Sequence, residues 1–107
     1  MINAERIAQL QEMLKEEPSD IFLHYALGIE YLNHAAEFEN AEHQFKHVLT
    51  LDGNYFAAHY QLGKLYEAQQ RNNEALEHYR AGQAKAKALG NRKAAGEFDE
   101  AIFLLED

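Results

Sequence analysis

Ile7, Leu10, Met13 and Leu14 recur at helical spacing between Asn3, a good N-cap residue, and Pro18, which cannot continue a helix. They predict a first helix over residues 3–17. Ser19 and Asp20 supply capping oxygens for a second helix, which carries Phe22, Leu23, Tyr25, Ala26, Leu27, Ile29, Tyr31 and Leu32 on almost every side. A helix so apolar needs partners on two sides. After a turn at 33–37, a third helix over 38–51 turns Ala41, Phe45, Val48 and Leu49 inward and ends at Asp52-Gly53-Asn54. A fourth, over 55–70, packs through Phe56, His59, Leu62, Leu65 and Tyr66. Asn72-Asn73 caps a fifth that runs to 89. Gly90-Asn91 closes it and opens a sixth, whose stripe is Ala94, Ala95, Phe98, Ala101, Ile102 and Leu105. No segment requires a strand.

Two of these helices share one pattern. Tyr25-Ala26-Leu27-Gly28-Ile29-Glu30-Tyr31 returns thirty-five residues later as Tyr60-Gln61-Leu62-Gly63-Lys64-Leu65-Tyr66, with His24 matching His59. Ala41-x-x-x-Phe45 matches Ala75-x-x-x-Tyr79 at a spacing of thirty-four, so the first copy holds one extra residue, which belongs in a turn. A helical glycine costs ~1 kcal/mol relative to alanine, and close packing must outweigh that cost. Gly28 and Gly63 are therefore expected against the second helix of their own copy.

These residues resemble the tetratricopeptide repeat, whose pattern is an aromatic, two residues, Leu-Gly, two residues, Tyr, then Ala-x-x-x-Phe and a closing Pro. The resemblance covers residues 19–88. His24 and His59 replace the first aromatic. The closing Pro is Gly53 in one copy, expected to end its helix in a left-handed conformation, and Lys87 in the other, where the helix is expected to run on. The resemblance implies an all-α fold of six helices, antiparallel pairs stacked in a shallow right-handed superhelix. It implies one domain over 1–107, with a half-repeat helix at 1–17, repeats at 20–53 and 54–89, and a capping helix at 91–106.

In that family, ligand peptides lie along the first helix of each repeat, one turn either side of the glycine. Carried onto this sequence, the positions are Phe22, Tyr25, Ile29 and Leu32 or Asn33, then Ala57, Tyr60, Lys64 and Glu67. The resemblance implies a protein–protein interaction module that takes a partner peptide or helix in a concave aromatic groove. Members that bind acidic chaperone tails place Lys and Asn where this chain has Tyr25 and Ile29, which leaves Lys64 as the only cation, so that ligand is disfavoured. The alternative is self-association into a homo-oligomer, through the groove or through Phe103 and Leu104, which lie off the main stripe of helix six.

Composition narrows the partner. The 107 residues suit one domain, and 47% apolar residues are enough for a core without any run of ~20 apolar residues that would span a membrane. The N-terminal residues show no basic region followed by an apolar run, so a cytoplasmic location is expected. Net charge is -8. Residues 1–53 carry 10 acids and 3 bases, and residues 54–107 carry 8 acids and 7 bases. Such a surface repels phosphate backbones, so nucleic acid is not expected as a partner. The basic cluster Arg80, Lys85, Lys87, Arg92 and Lys93 reads as a solvated helix end where cations complement the macrodipole.

Candidate chemistry is sparse. Ser19 and Thr50 are the only Ser and Thr, cysteine is absent, and no glycine cluster forms a phosphate loop, so neither an enzyme nor a cofactor is expected. Glu39, His43 and His47 share a helix face, but durable zinc sites take three or four strong ligands and no further partner stands out, so no metal site is expected. His24 and His59 should pack between helices in their neutral form.

Overall fold

The computed structural model describes residues 2–33 and 37–106. The side chain of Asn3 and the middle of the turn at 33–37 lie outside the described residues. Six helices are described: α1 (Ile2–Glu16), α2 (Ile21–Asn33), α3 (Phe38–Leu51), α4 (Phe56–Ala68), α5 (Asn72–Ala88) and α6 (Arg92–Glu106), with no strand among the described residues. They divide into two compact units, Met1–Gly53 and Asn54–Asp107.

In the first unit α1 packs on α2 and α2 on α3. Asp20 performs the capping expected of Ser19 or Asp20, its Oδ1 accepting the Leu23 N–H at 3.0 Å. Leu10, Leu23, Leu27 and Tyr31 are buried, whereas Met13, expected in the same stripe as Leu10, is 52% exposed. α1 packs on α2, and that face takes up Leu10 while Met13, nearer the helix end, lines an open cleft beside Phe22 and Leu23. Across the α2–α3 crossing, a Cβ on Gly28 would lie 2.6 Å from Cε1 of Phe45. That crossing closes over Phe45, Ala41 and Val48, none of them exposed.

The end of α3 departs from expectation. Gly53 is not left-handed; Asp52 leaves the helix in extended backbone (φ -152°, ψ 101°) with its N–H still bonded to the Val48 carbonyl at 2.9 Å. A chain that turns out in this way needs no positive φ.

In the second unit α4 packs on α5 and α5 on α6. α4 is shorter than the expected 55–70 because Gln70 takes a left-handed conformation at φ 64°. The Arg71 N–H then reaches the Tyr66 carbonyl (2.8 Å) and the Gln70 N–H that of Glu67 (2.9 Å), the double closure of a Schellman motif. Gly90 repeats it after α5 at φ 74°, with Asn91 bonded to Ala86 (2.9 Å) and Gly90 to Lys87 (3.0 Å). α5 does run on past Lys87.

Asn72 and Asn73, expected to cap α5, lie inside its first turn; Arg71 is the N-cap and makes no side-chain cap bond. Its guanidinium instead grips Glu74 through two bonds of 2.6 and 2.7 Å and lies 4.5 Å from the centre of the Tyr66 ring. Asn91 Oδ1 caps α6 by accepting the Ala94 N–H at 3.0 Å. Tyr79 rests on Gly63, where an added Cβ would meet its Cζ at 2.6 Å.

Candidate functional site

On α2 the expected wall residues divide. Tyr25 and Ile29 are half-buried and Asn33 is exposed at the helix end. The Tyr25 ring leans on Phe45 with centroids 5.8 Å apart. Phe22, 69% exposed, turns toward the end of α1. There it joins Met13 and Leu23 in a cleft of about 580 Å³ rimmed by Glu12, Glu16, Glu17 and Asp20.

On α4 three expected residues converge. Tyr60, Lys64 and Glu67 line a depression of about 210 Å³, floored by Tyr79 and walled by Glu97, Glu100, Ala101 and Leu104 of α6. The Tyr60 ring packs edge-on to Phe98 at 5.4 Å and lies 5.8 Å from the Tyr79 ring. Lys64 Nζ sits 5.8 Å from the centre of the Tyr60 ring. The Tyr79 hydroxyl donates to the Glu67 carboxylate. Burial raises the Tyr60 phenol above its ordinary range, and Glu97, Glu100 and Glu67 raise it further. Burial and the bond to Glu67 push Tyr79 up as well. Both phenols therefore hold their protons at neutral pH, and each presents an O–H donor beside carboxylates.

Solved structures share this fold. A tetratricopeptide repeat domain protein from Salinibacter ruber is 34% identical in its solution structure, over 83% of this chain and 89% of that one, with a TM-score of 0.77. This chain belongs to the tetratricopeptide repeat family. The crystal structure of the same Salinibacter domain gives 33% identity over 81% of this chain and 96% of that one, at a TM-score of 0.74. A protein from Bordetella parapertussis, solved in solution, is 25% identical over 94% of this chain and 86% of that one, with a TM-score of 0.82. No family model matches the sequence, and no curated protein matches it. Among the described residues, no helix is long and apolar enough to cross a membrane.

Within the tetratricopeptide pattern, His24 and His59 occupy the first aromatic slot and both are half-buried. His24 Nε2 donates to the Pro18 carbonyl at 2.7 Å, its Nδ1 lies 2.7 Å from Gln44 Oε1, and its ring meets that of His47 at 4.4 Å. His59 makes the matching contact in the second repeat, Nδ1 to His78 Nδ1 at 3.1 Å. Such a pair requires one protonated and one bare nitrogen. Burial, then the neighbouring charges of His78 and Lys85, lower His59 to about 4. His47 is lowered too, by burial first and then by His24 and His43. Among the described residues, no group of three or more His, Cys, Asp or Glu is placed to hold a metal.

One contributor, a face of α6, is missing from the expected tetratricopeptide set. Glu97, Glu100, Ala101 and Leu104 recur at i, i+3, i+4 and i+7, a second face of α6 beside the buried Ala94, Ala95 and Phe98. That spacing is the signal that could have found it. Phe22 belongs with the acidic end of α1, and the nearby run Glu16-Glu17 was the available sign.

Proposed function

We propose that the protein is a binding module for segments of other proteins, engaging them with the first helix of each repeat. The depression on the second repeat carries this reading: Tyr60, Lys64 and Glu67 reach it from α4, and α6 supplies Glu97, Glu100 and Leu104. A half-buried ring gives a partner's apolar side chain a rigid surface, and three carboxylates against one lysine favour a segment with Lys or Arg beside that anchor. On the first repeat, Tyr25, Ile29 and Asn33 are the corresponding contacts, whereas Phe22 faces the cleft beside α1. The role is binding without catalysis; the Thr50 hydroxyl is engaged locally, donating to the His47 carbonyl at 2.6 Å. A cytoplasmic setting agrees with a cysteine-free sequence.

A random peptide display selection against the immobilised chain tests the reading. Peptides carrying an apolar anchor next to Lys or Arg should be enriched, and they should bind Tyr60→Ala at least about tenfold more weakly. Equal binding to wild type and variant would move the site elsewhere. The alternative is self-association through α6, supported by Phe103 at 74% and Leu104 at 69% exposure.

A further inference from the structure

The cleft at the α1–α2 corner has an apolar floor of Met13, Phe22 and Leu23 under a rim of carboxylates. Glu12 pairs with Lys15 at 3.3 Å and Asp20 caps α2, which leaves Glu16 and Glu17 to be explained. Glu16 ends α1 and Glu17 follows it, where the macrodipole is negative and a carboxylate is disfavoured. An apolar patch ringed by charges placed against the dipole is consistent with a surface selected for something other than the stability of its own helix.

The second unit holds a patch of the opposite kind. Leu89, 56% exposed, stands at the α5–α6 corner with Lys87 two residues before it, Lys85 one turn back, and Arg92 and Lys93 just after. Macrodipole compensation accounts for Lys85 and Lys87, in the last turn of α5. It does not account for Arg92 and Lys93, the first two residues of α6, which lie at the positive end of their helix with no acid in that turn. The macrodipole reason given for the basic cluster therefore does not extend to these two exposed residues.

We infer that the Leu89 corner of one copy docks into the Met13–Phe22 cleft of a second copy. Leu89 supplies the apolar anchor for the floor, and Lys87, Arg92 and Lys93 meet the carboxylate rim. Each patch holds charges that its own helix disfavours and the other patch complements. Because the two surfaces differ, the contact is heterologous: every copy keeps one free cleft and one free corner, so association proceeds head to tail.

Sedimentation velocity on the full chain tests this. At about 0.01 M salt, with a screening length of ~30 Å, wild type should associate with increasing concentration, and at about 1 M, where that length is ~3 Å, it should revert toward monomer. Glu16→Lys with Glu17→Lys, and separately Lys87→Glu with Arg92→Glu, should each weaken association at least about tenfold. Glu16→Lys, Glu17→Lys and Arg92→Glu place favourable charges at their helix ends and Lys87→Glu an unfavourable one at the exposed end of α5; far-UV circular dichroism should show both variants folded. Mixed one to one, they should associate again, since the intact corner of one fits the intact cleft of the other and the two reversed surfaces complement each other in charge. Phe103→Ser and Tyr60→Ala should associate as wild type does, which separates this contact from the α6 patch and from the peptide site. Wild type that stays monomeric at both salts overturns the inference, whether or not some other basic peptide enters the cleft. So does a mixture that stays monomeric.

Discussion

Phe98 lies with its ring against the bare backbone of Gly82, where an added Cβ would come within 2.5 Å of Cε1 and 2.9 Å from the His59 Cβ. The α5–α6 crossing thus repeats a device already used twice. Gly28 receives Phe45, Gly63 receives Tyr79, and Gly82 receives Phe98, and the latter two pairs share a separation of sixteen residues. The capping helix is therefore seated by the same glycine-and-ring contact as the helices of the repeats.

Gly82→Ala should destabilise the protein by ~1–3 kcal/mol, because Phe98 is 1% exposed and has nowhere to move. Gly28→Leu and Gly63→Leu should cost at least as much. Gly96→Ala is the internal control, since nothing lies within 4 Å of its added Cβ, and it should stabilise by ~0.5–1 kcal/mol. Urea denaturation measures all four, and a Gly82→Ala variant as stable as wild type would refute the assigned crossing.

Gln70 and Gly90 make a second contrast. Both close a helix at positive φ, yet only one is a glycine. Gln70→Gly should raise stability by ~1 kcal/mol by relieving left-handed strain, and Gly90→Ala should lower it by a similar amount. The melting temperatures should move in opposite directions. Two shifts of the same sign would show that strain does not govern these turns.

Much of the fold was legible because the Leu-Gly-x-x-Tyr core fixes several contacts together: Leu27 and Leu62 are buried, and Gly28 and Gly63 meet their rings. Helix ends were less legible. Gln70 closes α4 through backbone hydrogen bonds that any residue tolerating positive φ can make, and Asp52 removes the need for a left-handed Gly53. Gly82 escaped notice because it lies outside the repeated motif, although its spacing to Phe98 equals that of Gly63 to Tyr79. On the candidate surface, Tyr60, Lys64 and Glu67 follow from the register of α4, while Glu97 and Glu100 arrive from another helix, which no local pattern on α4 can reveal.

Acid should weaken the fold through His59. Its value falls from 6.5 to about 4 on folding, so above pH 6.5 both folded and unfolded states are neutral there and the group contributes no pH dependence. Between those values the unfolded chain takes up a proton that the folded chain refuses, and stability is lost as pH falls through this window. His78 and Lys85 face His59, and protonation there would add a repelled charge beside the pair. The loss attributable to His59 is roughly 1–3 kcal/mol by pH 4. His59→Leu should flatten the slope of stability between pH 6.5 and 4 in denaturant titrations. An unchanged slope would assign acid sensitivity to other groups.

Tyr25 and Tyr60 decide whether the first helices bind partners or only complete the core. Each ring packs against a core aromatic, so truncation will not be free: Tyr25→Ala loses the contact with Phe45, and Tyr60→Ala loses those with Tyr79 and Phe98. A cost of ~1–2 kcal/mol for each is expected, which lowers the melting temperature without unfolding the domain. Lys64→Glu separates stability from binding. Lys64 is exposed and its contact with the Tyr60 ring is worth ~0.5–1 kcal/mol at most, so its loss should barely change melting. The substitution adds a fourth carboxylate to a depression that already holds Glu67, Glu97 and Glu100. A basic peptide selected on wild type should therefore bind Lys64→Glu more tightly at low salt and Tyr60→Ala more weakly at every salt, as isothermal titration can measure. Anchor and charge then act separately, the ring setting how long the segment stays and the carboxylates how fast it arrives. If Lys64→Glu leaves affinity unchanged while Tyr60→Ala unfolds the chain, the tyrosine is core and the depression is not the binding surface.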